Sequence, residues 1–199
     1  MSMPDVVGDL PLVEEILESH RSRGRGDDTG WDGYKAHVYR VINFARAFGP
    51  ETADADDKLA IATAFHDLAA FDTLDYLVPS IAAQDEWLAA TGRQDWSDEL
   101  ALVIAGHHRL RAYRSGSGAV PLVEAVRRAD LIDVSQGLIR FGLPKSFVNE
   151  VRGTFDAGVF FRRVIPTATL RAIRRRQQPG FLRPRNALTR SSHPGSVGR

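Results

Sequence analysis

The sequence predicts an all-α domain, a bundle of about six to eight helices. Three observations carry this. Apolar residues recur at three- and four-residue spacing along most of the chain, as one face of a helix requires. No run of alternating β-branched residues marks a strand. Gly and Pro mostly fall between the apolar stripes, where they punctuate helices.

Segment 10–21 (LPLVEEILESHR) reads as a short amphipathic helix, and 22–30 (SRGRGDDTG) as a polar, Gly-rich loop. A helix follows over 31–48, with Val38, Val41, Ile42, Ala45 and Phe48 as its apolar stripe and Gly49-Pro50 as its stop. The next spans 54–70, with acids in its first turn where the helix dipole favours them. Further helices are expected over 80–91, ending at Gly92, and over 97–111. SGSG at 115–118 breaks the chain before a helix over 119–136, with Pro121 in its first turn. A shorter helix at 144–152 precedes one at 156–176 that Pro166 kinks or splits. Beyond Gln177 the chain turns to Pro, Gly, Ser and Arg, and a disordered tail is expected. The expected organisation is an N-terminal helix and loop (1–30), a helical core (31–137), C-terminal helices packing on it (138–176) and a basic tail (177–199).

Composition narrows the function. The 199 residues fit one domain able to bury its own core. With no cysteine, disulfides, thiol nucleophiles and thiolate zinc sites are excluded, and any metal site must use His, Asp and Glu. No apolar run is long enough for a membrane span. MSMPDVVGDL lacks the basic and apolar regions of a secretory signal, so a cytoplasmic location is expected. The net charge of +1 is unevenly spread: residues 157–199 hold ten Arg and no acid, while the first 156 hold 16 basic and 25 acidic groups. The basic end, including Arg174-Arg175-Arg176, lacks interleaved aromatics and follows an acidic body. A solubilising tail is expected there, not a nucleic-acid surface.

Six histidines occur. His20 falls on a polar helix face and His193 in the tail, and neither is expected to take part. His66 follows Leu59 by seven and Ala62 by four, which places it on an apolar stripe. Asp67 is adjacent, and a carboxylate there needs a counter-charge. Asp130 (after Val123 and Val126) and His107 (after Leu100 and Val103) have the same inward spacing, and His37 borders the stripe of 31–48. Taken singly, each could be a hydrogen-bonded core residue, and Asp130 could pair with Arg127 or Arg40. Together, on core faces of four helices, they look like one shared site of the kind helix bundles use for metals.

Their order is HVYRVINFARAF around His37, AFHDLAAF around His66-Asp67, and RRADLIDVS around Asp130 and Asp133. This resembles the HD-domain superfamily of metal-dependent hydrolases, whose pattern is H…HD…D, over residues 31–137. The resemblance implies an HD-domain-like helical bundle in which His37, His66, Asp67 and Asp130 hold a divalent metal. Asp133, the alternative to Asp130, is expected to orient a neighbour or cap the site. Two-metal members carry two further histidines. His107 fits the second, but Ser80 stands near the place of the first, so one ion is expected, with His107 and His108 contacting substrate or supporting the ligands. A mixed N/O donor set suits Mn, Fe, Co, Ni or Zn. Such an ion brings a bound water to a pKa of about 7.

The implied function is a hydrolase acting through that water on a small phosphate ester, possibly a nucleotide. Asp67 could also take the water's proton. Mononuclear nucleotidases of this superfamily have a carboxylate three residues past the HD Asp. That position here is Ala70, leaving Asp72 or Asp75 as acid candidates, unless both are solvated acids. Arg109, Arg111 and Arg114 follow His107, and Arg forks suit phosphate oxygens; a solvated helix end explains them equally. Arg109 is the expected phosphate contact. Rival readings are hydration of a small cyanamide- or nitrile-like molecule, a di-iron oxygenase, and a non-enzymatic metal-stabilised module. Partners are expected to be a small-molecule substrate and possibly a second copy of the chain.

Overall fold

The computed structural model describes residues 3–24, 26–50, 54–73, 75–113 and 120–156. Among these there are seven α-helices and no strand. They are α1 (Pro11–Ser19), α2 (Asp28–Ala47), α3 (Ala55–Phe65), α4 (Leu77–Ala90), α5 (Ser97–Gly106), α6 (Val120–Val134) and α7 (Lys145–Thr154). Short 3-10 turns cover Arg21–Gly24, Leu68–Phe71 and Gln94–Trp96. The expected all-α architecture holds. The helix expected at 156–176, the SGSG break, Arg114, Arg174–Arg176, His193 and the 177–199 tail lie outside the described residues.

α2 is the centre of the bundle. Asp27 caps it, its Oδ1 accepting from Gly30 N at 3.1 Å. A Cβ on Gly30 would sit 2.7 Å from Asp27 Oδ2, so this cap needs glycine there. Trp31, Tyr34, Val38, Val41, Ile42 and Ala45 face inward at helical spacing. α2 shares its widest contact with α6 and also packs on α3 and α7. α5 packs against α3, α4 and α6. One apolar cluster runs through all the helices, from Val13 to Val151. Among the described residues no helix is long and apolar enough to cross a membrane.

Four helix limits differ from the sequence expectation by three residues or more. α2 starts at Asp28, not at 31, because Asp27 caps it. α3 stops at Phe65, not near 70, and α5 at Gly106, not near 111. Both stops share a cause. The His66 Nδ1 hydrogen bonds the Thr63 carbonyl at 2.6 Å, and His107 Nδ1 the Ile104 carbonyl at 2.7 Å. These side chains take carbonyls of the last turn that a continuing helix would use. α4 starts three residues earlier than expected because Pro79 is tolerated in a first turn.

Candidate metal centre

Four elements converge on one buried point. His37 comes from the middle of α2. His66 and Asp67 stand where α3 gives way to the 3-10 turn Leu68–Phe71. His107 and His108 follow the end of α5, and Asp130 lies on α6. His37, His66, Asp67, His107 and Asp130 are buried, and His108 is partly exposed.

The three buried imidazoles are aimed alike. Each spends Nδ1 on an oxygen: His37 on Asp133 Oδ2 at 2.6 Å, His66 on Thr63 O, His107 on Ile104 O. In the neutral imidazole a donor at Nδ1 leaves Nε2 as an acceptor, and the three Nε2 atoms point into the same space. His37 Nε2 and His66 Nε2 face each other at 2.9 Å. Asp130 Oδ1 lies 3.6 Å from His37 Nε2, and Asp67 Oδ1 3.3 Å from His107 Nε2. Four buried atoms here have no hydrogen-bond partner: Asp67 Oδ1, both Asp130 oxygens and His107 Nε2.

Lone pairs facing lone pairs and carboxylates repel unless a cation lies between them. The donor set therefore fits a metal. Metal–nitrogen bonds of about 2.0–2.1 Å place two neighbouring imidazole nitrogens about 3 Å apart, as His37 and His66 are. Three overlapping groups each have ligand atoms within 4.8 Å of one another: His37, His66 and Asp130; His66, Asp67 and His107; His107, His108 and Asp130.

Charge follows the same arrangement. Burial, reinforced by the neighbouring imidazoles, pushes His66 down to about 4. Burial alone raises the Asp67 carboxyl, but His66, His107 and His108 outweigh it and hold it well below the usual range. Burial likewise opposes ionisation of Asp130, and His108, His107 and His37 lower it. In His107 burial is outweighed by Asp67, which raises the imidazole. The carboxylates are held as anions and His66 as a neutral base, the forms metal binding uses.

The pairings left open for Asp130 resolve elsewhere. Arg40 Nε and one of its terminal nitrogens bind the two Asp133 oxygens at 2.6 and 3.0 Å. Arg127 binds Glu124 at 2.7 and 2.6 Å. Asp133 thus joins Arg40 to His37 and fixes that ring, the orienting role open to it. The relay is legible afterwards as two i, i+3 pairs, His37/Arg40 on α2 and Asp130/Asp133 on α6, each sharing one helix face. Ser80 Oγ, near the place of an expected histidine, accepts from Ala69 N at 3.2 Å and braces the turn after Asp67.

The other candidates lie as follows. Asp72 is ion-paired with Arg23, tying two 3-10 turns together. The Asp75 backbone N–H donates to Thr73 Oγ1 at 3.2 Å. Arg109 is exposed, with its guanidinium 5.3 Å from the Tyr113 ring centroid. Arg111 is exposed as well. His20 lies away from the cluster, with Nδ1 2.8 Å from Ile16 O. Sequence reasoning missed Tyr76, whose hydroxyl hydrogen bonds His108 Nε2; an aromatic just before a helix carries no pattern that singles it out. Compared with models of known protein families, with curated proteins and with solved structures, the chain matches none.

Proposed function

We propose that this chain is a metal-dependent hydrolase of the HD-domain type that acts on a small phosphate ester, possibly a nucleotide. The observation that carries the proposal is the set of unpartnered buried atoms on Asp67, Asp130 and His107, facing the paired Nε2 atoms of His37 and His66. In this reading His37, His66, Asp67 and Asp130 hold one divalent ion from the Mn, Fe, Co, Ni and Zn group. Bound there, the ion would supply Lewis acidity and a nucleophilic water near neutral pH. In this reading Asp67, with one oxygen unpartnered, would also take that water's proton. His107, with Nε2 3.3 Å from Asp67 Oδ1, would hold that carboxylate in position. Asp133 and Arg40 keep the His37 ring fixed throughout.

A second reading has one observation in its favour. The described cations near the site are engaged elsewhere: Arg40 with Asp133, Arg127 with Glu124, Arg23 with Asp72 and Arg109 over Tyr113. A small neutral substrate of the nitrile or cyanamide kind needs no phosphate-binding cation.

One experiment separates the readings. The purified protein is loaded with each of the five metals, its metal content measured, and a panel of phosphate esters, nucleotides, nitriles and small amides assayed. We expect close to one ion per chain and turnover of a phosphate ester that Asp67→Ala abolishes. In the same assay Arg109→Gln tests the expected phosphate contact, whose loss is expected to lower kcat/KM about tenfold or more. Turnover of neutral substrates alone would favour the second reading. A fully loaded protein inactive on the whole panel would leave a metal-stabilised module. A ratio near two would bring His107 and His108 into the ligand set.

A further inference from the structure

His108 is the one partly exposed member of the cluster. Its side chain is 28% exposed, while those of His37, His66, Asp67, His107 and Asp130 are 4% exposed or less. His108 is therefore the member of the cluster that solvent reaches. That ring is held from several directions. It lies against His107 with centroids 3.7 Å apart, and stands edge-on to the Tyr76 ring, with centroids 5.9 Å apart. Its Nδ1 is 3.7 Å from Asp130 Oδ2, and its Nε2 is 3.9 Å from Asp67 Oδ1. The Tyr76 hydroxyl closes on Nε2 in a direct hydrogen bond.

Tyr76 is itself anchored. It is buried and immediately precedes α4. One turn on, Ser80 braces the backbone after Asp67. The start of α4 thus grips both chain segments that bring the HD pair and the two adjacent histidines into the site. A carboxylate can only accept a hydrogen bond, whereas a phenol can donate one. Both neighbours of the His108 ring are matched together when the Tyr76 hydroxyl donates to Nε2 and the ring proton sits on Nδ1, facing Asp130. At 3.7 Å that N–H is too far from Asp130 to be spent on it. It remains a donor facing Asp130 Oδ2 across 3.7 Å.

We infer that Tyr76 is a positioning residue that holds the His108 ring in its Nδ1–H tautomer, facing Asp130, and so sets the partly exposed His108 as a substrate-contacting group. This rests on the hydrolase reading above for the word substrate. The Tyr76–His108 geometry stands without it.

The test uses the full chain with 15N-labelled histidine, metal-free and Zn2+-loaded, and reads the nitrogen–proton coupling pattern of His108, assigned by its loss in His108→Gln. Wild-type protein is expected to show His108 as a single Nδ1–H tautomer. Tyr76→Phe, which removes only the hydroxyl, is expected to move it towards an average of two tautomers, with the melting temperature and Zn2+ stoichiometry unchanged. On the best substrate of the panel, Tyr76→Phe should lower kcat/KM about threefold to tenfold, the range of one neutral hydrogen bond. It should add nothing in a His108→Gln background. An averaged His108 in the wild type, or the same pattern with and without the Tyr76 hydroxyl, would overturn the positioning role. So would additive losses in the double variant. Loss of Zn2+ in His108→Gln would make His108 a ligand and overturn its role as a substrate contact. If no substrate in the panel turns over, the hydrolase reading falls, and the tautomer measurement still decides Tyr76.

Discussion

Asp133 shows how much of the centre rests on single side chains outside the donor set. It joins His37 to Arg40 with every contact at 3.0 Å or shorter. Carboxylates that orient a metal-binding imidazole typically govern metal affinity by about 10- to 100-fold. Asp133→Asn keeps the shape but removes the charge, so metal affinity should fall by about that factor. The protein should also lose stability, since Arg40 stays buried with a weaker partner. Metal titration and thermal melting check both, and unchanged affinity would show that Asp133 does not hold His37 for a metal. His66 supports a second prediction. An unfolded chain protonates this imidazole near its ordinary value of about 6.5, whereas the folded chain resists until about 4. Its contribution to stability is therefore complete above about pH 6.5 and is lost as pH falls towards about 4. That difference corresponds to roughly 3 kcal/mol at most. His107, raised above its ordinary value, contributes in the opposite sense, below pH 6.5 and fading as pH rises. Denaturation of chelator-treated protein across pH 4 to 6.5 should show the acid-side loss, and a flat profile would contradict the burial of a neutral His66.

The ends of α3 and α5 bring the cluster together, because each helix stops on a histidine that bonds back to its own last turn. Tyr34 reinforces the first of these, its hydroxyl donating to Ala64 O at 2.7 Å. At the second, Gly106 lets α5 approach α6: a Cβ there would lie 3.0 Å from Val123 Cγ1. Gly106→Ala should therefore destabilise the protein by about 1–3 kcal/mol, the usual cost of overpacking. It should also weaken metal binding, because His107 is the next residue. Intact affinity alongside a lowered melting temperature would place the donor set out of reach of α5. The apolar spacing at 59, 62 and 66 and at 100, 103 and 107 was enough to turn both histidines inward. The helix limits were not legible from it, since apolar periodicity continues past each histidine and the competing side-chain hydrogen bonds do not register in a hydropathy pattern.

Across the whole molecule the four residues proposed to hold the ion come from α2, α6 and the end of α3, so a bound ion would cross-link three parts of the bundle. Ligands that bind only the folded state stabilise it by mass action. Removing metal should lower the melting temperature of the wild type, whereas Asp67→Ala should melt at one temperature with or without chelator. Equal shifts in both proteins would place the stabilising ion elsewhere. Residues 178–199, rich in Pro, Gly, Ser and Arg, carry no core-forming apolar periodicity. Deleting those residues should leave the melting transition in place, and its loss would show that the domain extends into them.

The sequence by itself determined the helical class, the inward turn of His37, His66, His107 and Asp130, and the exclusion of thiolate chemistry. These follow from local spacing and composition, which one chain segment carries alone. It also contained Asp133, but not its partner. Tertiary structure decided that Arg40 and Arg127 go to Asp133 and Glu124, that Asp130 is left facing the cluster, that Ser80 braces the turn after Asp67, and that Tyr76 reaches His108. Apart from Arg127–Glu124, a pair within α6, each of these joins residues from different elements. Periodicity specifies which face of a helix turns inward, and only the packing of one helix on another specifies what that face meets.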